Sequence, residues 1–165
     1  MPKVNDAPLK IRPYTQHRVE LTGENEKGAI GNCPFCEGSG KFFIFKDTGQ
    51  YGCRVCPEKG NIYSFIRKVH ANGKSPQSEL EIVAEERKID VDTLKAWGLV
   101  KSSIDNEWVM PTYSLPAKGK EQTIGNLYRW AKWFDEKAKK WKRKLQGTFS
   151  LDAGLYGLQF WDNSK

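Results

Sequence analysis

The chain has 165 residues, and 27 Lys and Arg against 20 Asp and Glu give it a formal net charge of +7. This length is enough for one domain or two small ones. No apolar run approaches the roughly 18 residues of a membrane helix, so the composition predicts a soluble protein with no membrane partner.

The first 29 residues mix prolines, glycines and charges, and only a short apolar alternation near Val19 and Leu21 indicates regular structure. We therefore expect residues 1–29 to form a flexible arm with at most one strand. His17 in this arm, like His70 further along, is expected at the surface rather than at a metal.

Cys33 and Cys36 form one Cys-x-x-Cys pair, Cys53 and Cys56 form a second, and sixteen residues lie between the two pairs. This spacing is typical of a zinc ribbon, because a hairpin between the pairs brings four thiolates to one metal. The alternatives are two disulfides or a redox-active pair, but no export signal precedes the cysteines. We expect one structural Zn²⁺ with a closed shell, a segment that unfolds without it, and a cytoplasmic location.

A hairpin is predicted between the two pairs, with strands at residues 41–45 and 50–52 and a turn at 47–49. Period two places Phe42 and Ile44 on one face and Lys41, Phe43 and Phe45 on the other. Either neighbouring segments cover both faces, or aromatic rings and cations bind unpaired bases. The candidate binding residues here are Lys41, Phe43, Phe45, Tyr51 and Arg54.

A helix is predicted from an Asn61 N-cap to about residue 69, with Ile62, Phe65, Ile66 and Val69 on one face. Residues 71–77 contain Gly, Ser and Pro and form a predicted linker. The predicted ranges are therefore a zinc-ribbon domain at 30–73 and a basic subdomain at 78–165.

The basic subdomain begins with two predicted helices and continues as β-structure. Ser78 with Glu81 indicates a capping box for a helix to about residue 87, and a short helix follows from Asp90 or Asp92 to Trp97. Strands are predicted at 108–113, 122–133 and 141–145, the last two joined by a turn at 135–139, although a helix over 130–141 is an alternative. The predicted fold class is α+β.

Basic residues are concentrated between positions 118 and 144, where ten Lys and Arg stand against three acids and account for the whole net charge. Such a segment is expected to bind the phosphate backbone without sequence preference. Its candidate DNA contacts are Arg129, Lys132, Lys142, Arg143 and Lys144; the alternative is a solvated face.

The ribbon resembles the zinc-binding domain of DNA primases, in particular the four-cysteine form of phage primases and primase-helicases. The resemblance is carried by Asn-Cys-Pro-Phe-Cys at 32–36, Tyr-Gly-Cys-Arg-Val-Cys at 51–56 and Gly-Asn-Ile at 60–62. The second range is similar to the N-terminal part of the primase polymerase region through Met-Pro-Thr-Tyr at 110–113, Ile-Gly-Asn-Leu-Tyr-Arg at 124–129, Lys-Arg-Lys-Leu-Gln-Gly at 142–147 and Leu-Tyr-Gly at 155–157. Gly38 stands where the family usually has a Lys, and Lys41 is the candidate to replace it.

The resemblance implies a single-stranded DNA template as partner, together with primer RNA, nucleoside triphosphates and the helicase or polymerase of a replisome. It also implies a bacterial or phage-infected cell. In the family, Mg²⁺ belongs to a following TOPRIM fold whose Glu and Asp-x-Asp hold it. Asp90-Val91-Asp92 is better interpreted as a helix cap, so this chain is expected to be truncated before that fold and inactive alone. The alternatives are a stand-alone zinc-ribbon accessory protein that binds nucleic acid without catalysis, and a protein-interaction ribbon.

Overall fold

Antiparallel strands and short helices make up the described part of the chain, which confirms the α+β prediction. The computed structural model describes residues 8–114, 122–135, 139–148 and 151, and only the backbone at 131–135, 140 and 141–144. No helix of these ranges is both long and apolar enough to span a bilayer. The elements are α1 Arg12–Gln16, β1 Leu21–Glu24, β2 Gly28–Gly31, β3 Phe42–Phe45, β4 Tyr51–Cys53, β5 Lys59–Gly60, α2 Ile62–Ala71, α3 Gln77–Arg87, α4 Val91–Ala96, β6 Val100–Lys101, β7 Trp108–Tyr113, β8 Ile124–Asp135 and β9 Lys140–Gln146.

The first sheet contains β1 to β5 in chain order, each antiparallel to the next. The predicted hairpin is its centre, and Gly49 adopts a φ of +69° in the turn, a conformation that glycine tolerates best. The alternation of side chains is also confirmed, because Phe42 and Ile44 are 0% and 1% exposed whereas Phe45 is 44% exposed. One face of this sheet is therefore core, and the other is open to solvent.

Residues 8–29 are not a loose arm, which corrects the sequence-based expectation. Ile11, Tyr14 and Val19 are buried, and β1 and β2 extend the first sheet by two strands. The Tyr14 hydroxyl donates a hydrogen bond to the Gly49 carbonyl oxygen at 2.5 Å. A helix of five residues has too little periodicity to be recognised in the sequence, and it is stabilised by these distant contacts. Residues 1–7 lie outside the described ranges.

Helix α2 closes the core over the inner face of the first sheet. The Asn61 side chain accepts a hydrogen bond from the Ser64 N–H, and the Ser64 hydroxyl accepts one from the Asn61 N–H, which confirms the predicted N-cap. Phe65, Ile66 and Val69 are fully buried, as the apolar stripe predicted. The Phe65 ring meets that of Tyr14 with a centroid separation of 4.9 Å. Edge-to-face contacts of this kind stabilise a small aromatic core.

The second sheet contains β6 to β9, again antiparallel and in chain order. Both faces of strand β7 are covered: Val109 packs with the core under α2, whereas Trp108 and Met110 pack with α3 and α4. Helix α3 begins two residues earlier than predicted, because its N-cap is Pro76 rather than Ser78, and the expected capping box is not formed. Asp90 does cap α4, because its carboxylate accepts hydrogen bonds from two backbone N–H groups.

The last two strands form the predicted hairpin and not the alternative helix. Paired residues run from Arg129 with Gln146 to Asp135 with Lys140. Within the described part of the chain, β9 lies at the edge of the sheet. Residues 136–138 of the predicted turn lie outside the described ranges.

The predicted zinc-ribbon domain at 30–73 and the predicted basic subdomain at 78–165 pack against each other, on either side of the 71–77 segment. One apolar cluster includes Phe65 and Ile66 from the first range and Val109 and Leu127 from the second. The segment itself is tied to β6, because the backbones of Lys74 and Lys101 exchange two hydrogen bonds of 2.7 and 3.1 Å. The cysteine-containing part and the basic part therefore share a core.

A buried polar cluster joins the N-terminal segment to the end of β9. His17 is 0% exposed, against the expectation of a surface residue, and its Nε2 lies 2.8 Å from the Thr148 hydroxyl. The Thr148 hydroxyl donates to the Leu127 carbonyl oxygen at 3.0 Å, so it accepts from His17 Nε2–H. The Nε2 atom of His17 therefore carries a proton.

Burial, together with the nearby Arg129 guanidinium, lowers the pKa of His17 from 6.5 to about 3. The unfolded chain takes up a proton on this ring below pH 6.5, whereas the folded chain does not until about pH 3. Stability from this group is complete above pH 6.5 and decreases by up to about 1.4 kcal/mol per pH unit as the pH falls towards 3. We expect the free energy of unfolding, measured with urea, to fall less between pH 7 and pH 5 in His17→Gln than in the unmodified chain, by roughly 2 kcal/mol. Parallel curves for the two proteins would contradict this prediction, because all other titrating groups are common to both.

Candidate functional site

The four cysteines converge at one end of the first sheet. The Sγ atoms of Cys33 and Cys56 are 3.8 Å apart, those of Cys36 and Cys53 are 3.7 Å apart, and all four lie within 4.8 Å of one another. These separations are well beyond a disulfide bond of about 2.05 Å, and all four residues are free cysteines. The cluster could hold a metal ion, as the spacing predicted.

Backbone hydrogen bonds hold each pair of cysteines in a tight turn. In the first turn the Glu37 N–H donates to the Cys33 carbonyl oxygen at 3.0 Å, and Glu37 takes a φ of +57°. In the second, the Cys53 N–H donates to the Glu58 carbonyl oxygen at 2.9 Å, and β-pairing aligns Cys53 with Phe42. The β3–β4 hairpin therefore connects the cysteines to the core.

The electrostatic surroundings differ among the thiols. Burial raises the pKa of Cys33 to about 12. Burial acts in the same direction at Cys53, but hydrogen bonds from the backbone N–H groups of Cys56 and Val55 outweigh it and lower the pKa of Cys53 to about 7. A metal that binds all four thiolates must displace the protons that remain, so its affinity depends on pH.

The solvent-exposed side of the first sheet forms an aromatic face, which we define by Ile30, Phe43, Phe45, Lys41 and Arg54. The rings of Phe43 and Phe45 meet edge to face with centroids 5.3 Å apart. Phe43 lies across Gly52 of the neighbouring strand, where an added Cβ would come within 2.5 Å of its ring. Ile30 is 37% exposed beside them. The predicted pair of rings is therefore assembled and accessible.

The cations of the aromatic face are largely free of acidic partners. Lys41 and Arg54 are exposed, and their side chains make no hydrogen bond or ion pair within the described ranges. Lys46 nearby is different, since its Nζ lies 2.7 Å from a Glu24 carboxylate oxygen. The free cations can reach a phosphate without first breaking an internal contact.

Tyr51 does not belong to this face, although it was a candidate binding residue. It is 3% exposed and stacks on Phe42 with centroids 5.3 Å apart. Its register partner is Ile44, which points to the core. Tyr51 is therefore part of the aromatic core beneath the sheet.

The candidate DNA contacts of the basic segment at 118–144 do not share one environment. Arg129 is 3% exposed and pairs with the Asp105 carboxylate, so its guanidinium is not available at the surface. Lys132 is aligned with Arg143, Trp133 with Lys142 and Ala131 with Lys144, but the side chains at these positions lie outside what the structure describes. Their contact with DNA stays a prediction.

Three residues of this region were not singled out from the sequence. Asn25, Lys27 and Ile30 line a hollow of about 240 Å³ together with Phe43, Phe45 and Arg54. The sequence assigned Asn25 and Lys27 to the flexible arm at 1–29 and placed Ile30 at the start of the zinc-ribbon domain. The turn composition of residues 23–28, between the alternation at Val19 and Leu21 and the apolar pair at 29–30, was the available signal.

The sequence matches no protein-family model, and no curated protein is significantly similar to it. The geometry of the cysteine cluster and of the aromatic face is therefore the basis for a functional proposal.

Proposed function

We propose that this chain binds Zn²⁺ through its four cysteines and binds unpaired DNA on the adjacent aromatic face, as the template-binding portion of a DNA primase in replication. The observation that carries the binding proposal is the aromatic face itself, where the rings of Phe43 and Phe45 lie beside cations whose side chains have no hydrogen-bond or ion-pair partner in the described part of the chain. Zinc would have a structural role, and single-stranded template would be the principal partner.

The arrangement of the thiols supports zinc. A tetrahedral site with Zn–S bonds of about 2.3 Å has S–S edges of about 3.8 Å. The Sγ separations of 3.8 Å between Cys33 and Cys56 and 3.7 Å between Cys36 and Cys53 agree with that value. Bound zinc would hold both cysteine turns at one end of the sheet and leave no ligand position for substrate.

The chemistry of the aromatic face supports a single strand rather than a duplex. Bases of an unpaired strand are free to stack on aromatic rings, and each stacked base contributes roughly 1–3 kcal/mol. Lys41 and Arg54, which flank the rings, would contact the phosphates. In a duplex the bases are already stacked on one another, so the rings would be left without partners.

The assignment to a primase depends on the resemblance of the cysteine and basic motifs to that family. A zinc-ribbon accessory protein without catalytic activity would use the same face. The two roles differ in what the reading frame encodes beyond Lys165, because a primase requires a TOPRIM Glu and Asp-x-Asp.

Phe45→Ala and Arg54→Ala test the proposed binding face. With the zinc-loaded chain and a short labelled single strand, fluorescence anisotropy should show affinity reduced by roughly 5- to 100-fold in Phe45→Ala, because a stacked base loses its ring. Arg54→Ala should reduce the slope of log affinity against log salt by about 0.7, the contribution of one phosphate contact on a single strand.

Ile82→Ala is the matched control, since Ile82 is a 57% exposed apolar residue on α3, away from the first sheet. It should leave affinity unchanged. Failure of the unmodified chain to bind any single strand at low ionic strength would reject the proposed function, and equal affinities of Phe45→Ala and the unmodified chain would reject this face.

A further inference from the structure

The turn between β1 and β2 holds one polar side chain in a fixed orientation at the end of the aromatic face. The Oδ1 atom of Asn25 accepts hydrogen bonds from the backbone N–H groups of Lys27 and Gly28, each at 2.9 Å. The Asn25 N–H donates to the Gly28 carbonyl oxygen at 2.9 Å. The Asn25 carbonyl oxygen accepts from Lys46 Nζ at 2.6 Å. The orientation of the amide is therefore defined, with Oδ1 in the turn and the Nδ2 amine directed away from it.

The Nδ2 amine of Asn25 has no hydrogen-bond partner within the described ranges, and Asn25 lines the hollow beside Phe43 and Phe45. The other polar side chains that line this hollow are Lys27 and Arg54. Amine, ammonium and guanidinium groups are all donors, and the one side-chain acceptor, Asn25 Oδ1, already receives two hydrogen bonds. The hollow therefore combines an aromatic wall with side-chain donors and has no free side-chain acceptor.

The four bases differ in the exocyclic group that they would present to these side-chain donors. Thymine and guanine carry an exocyclic carbonyl oxygen, O4 or O6, whereas cytosine and adenine carry an exocyclic amine at the equivalent edge. A carbonyl oxygen can accept from Asn25 Nδ2 or from a neighbouring cation. An amine placed there would face other donors, and each polar group left without a partner costs binding free energy.

We propose that this hollow is a base-reading subsite that accepts a nucleobase with a carbonyl oxygen at pyrimidine C4 or purine C6, thymine or guanine, in preference to one with an amine at that position, cytosine or adenine. Phe43 and Phe45 supply the stacking surface, and Asn25 supplies the discriminating donor. The proposal rests on the proposed single-strand binding, because it specifies which base that face prefers.

The test compares two pyrimidine strands that differ mainly at this edge, oligo(dT) and oligo(dC), by fluorescence anisotropy with the zinc-loaded chain. The unmodified chain should bind oligo(dT) about 5-fold more tightly than oligo(dC), the effect of about one hydrogen bond gained or lost. In Asn25→Asp, Oδ1 can still accept from Lys27 and Gly28, but the donor amine becomes an acceptor oxygen. The ratio of the two affinities should then reverse, so that oligo(dC) binds more tightly.

The added negative charge of Asn25→Asp weakens binding to both strands alike, so the affinity ratio isolates base preference from charge. Asn106→Asp is the matched control, because it makes the same chemical change at an exposed position outside the hollow. It should leave the ratio as in the unmodified chain.

The outcomes separate the two proposals. Absence of binding to either strand by the unmodified chain would reject the proposed function and this subsite with it. Binding with equal affinity for oligo(dT) and oligo(dC), or an Asn25→Asp variant that keeps the original ratio, would overturn the subsite and leave the proposed single-strand binding intact. The ratio of the unmodified chain is informative even if the variant does not fold.

Discussion

Replacing Cys36 with alanine is expected to remove bound zinc and to unfold the first sheet together with α2. Structural zinc sites contribute roughly 10–16 kcal/mol of apparent binding free energy, which is comparable to or larger than the whole stability of a typical domain. Three remaining thiolates leave an open coordination position and lose most of that energy. Elemental analysis should show zinc content falling from about one ion per chain to near zero, and circular dichroism should show loss of β-structure.

The structure also indicates how far this unfolding spreads. Phe35, between the first two cysteines, contacts Phe65 of α2 with a centroid separation of 5.6 Å. The same apolar cluster continues to Val109 and Leu127 of the second sheet. Loss of the metal should therefore reduce the stability of both sheets, and not only of residues 31–69.

Val55→Ala is the control for the cysteine variant. Val55 lies between Cys53 and Cys56 and is 64% exposed, so its truncation changes the same turn without removing a ligand. It should keep its zinc and its circular dichroism spectrum. A Cys36→Ala protein with the zinc content and spectrum of Val55→Ala would refute a structural metal site.

Replacing Asp105 with alanine is expected to destabilise the chain by about 3–5 kcal/mol, because it leaves a buried guanidinium without its counter-charge. The side chains of Arg129 and Asp105 are 3% and 15% exposed, and their ion pair joins β8 to the loop before β7. The Nη1 atom of Arg129 has no hydrogen-bond partner within the described ranges. The Asp105 carboxylate is therefore the main group that offsets the cost of burying the guanidinium charge. Urea unfolding of the zinc-loaded protein measures the loss.

Asp92→Ala is the matched control, since Asp92 is 92% exposed and its contact with Lys95 is 4.0 Å long. Exposed pairs of this kind contribute about 0–1 kcal/mol. Equal losses of stability in Asp92→Ala and Asp105→Ala would show that the buried ion pair contributes no more to the free energy of unfolding than the exposed one. The comparison also separates a structural Arg129 from the DNA-contacting Arg129 that the sequence predicted.

Several features were predictable because they depend on neighbours in the sequence. The spacing of Cys33, Cys36, Cys53 and Cys56 predicted their convergence, since two short turns joined by a hairpin have few other arrangements. The two-residue period of a strand placed the side chains of Phe42 and Phe43 on opposite faces of the sheet. The residues from Asn61 onward predicted both the N-cap and the buried face of α2. In each case the residues involved lie within a few positions of one another or on one hairpin.

Other features depend on residues that are far apart in the chain and could not be recognised from local patterns. Tyr14 is held by Gly49, and His17 by Thr148, which is 131 positions away. The burial of Arg129 depends on Asp105, a residue with no local sign of its role. For the same reason Asn25 and the aromatic pair at Phe43 and Phe45 became one site only when β2 paired with β3. Periodicity and spacing specify which face an element buries, whereas the partner it buries that face against is selected by packing of the whole chain.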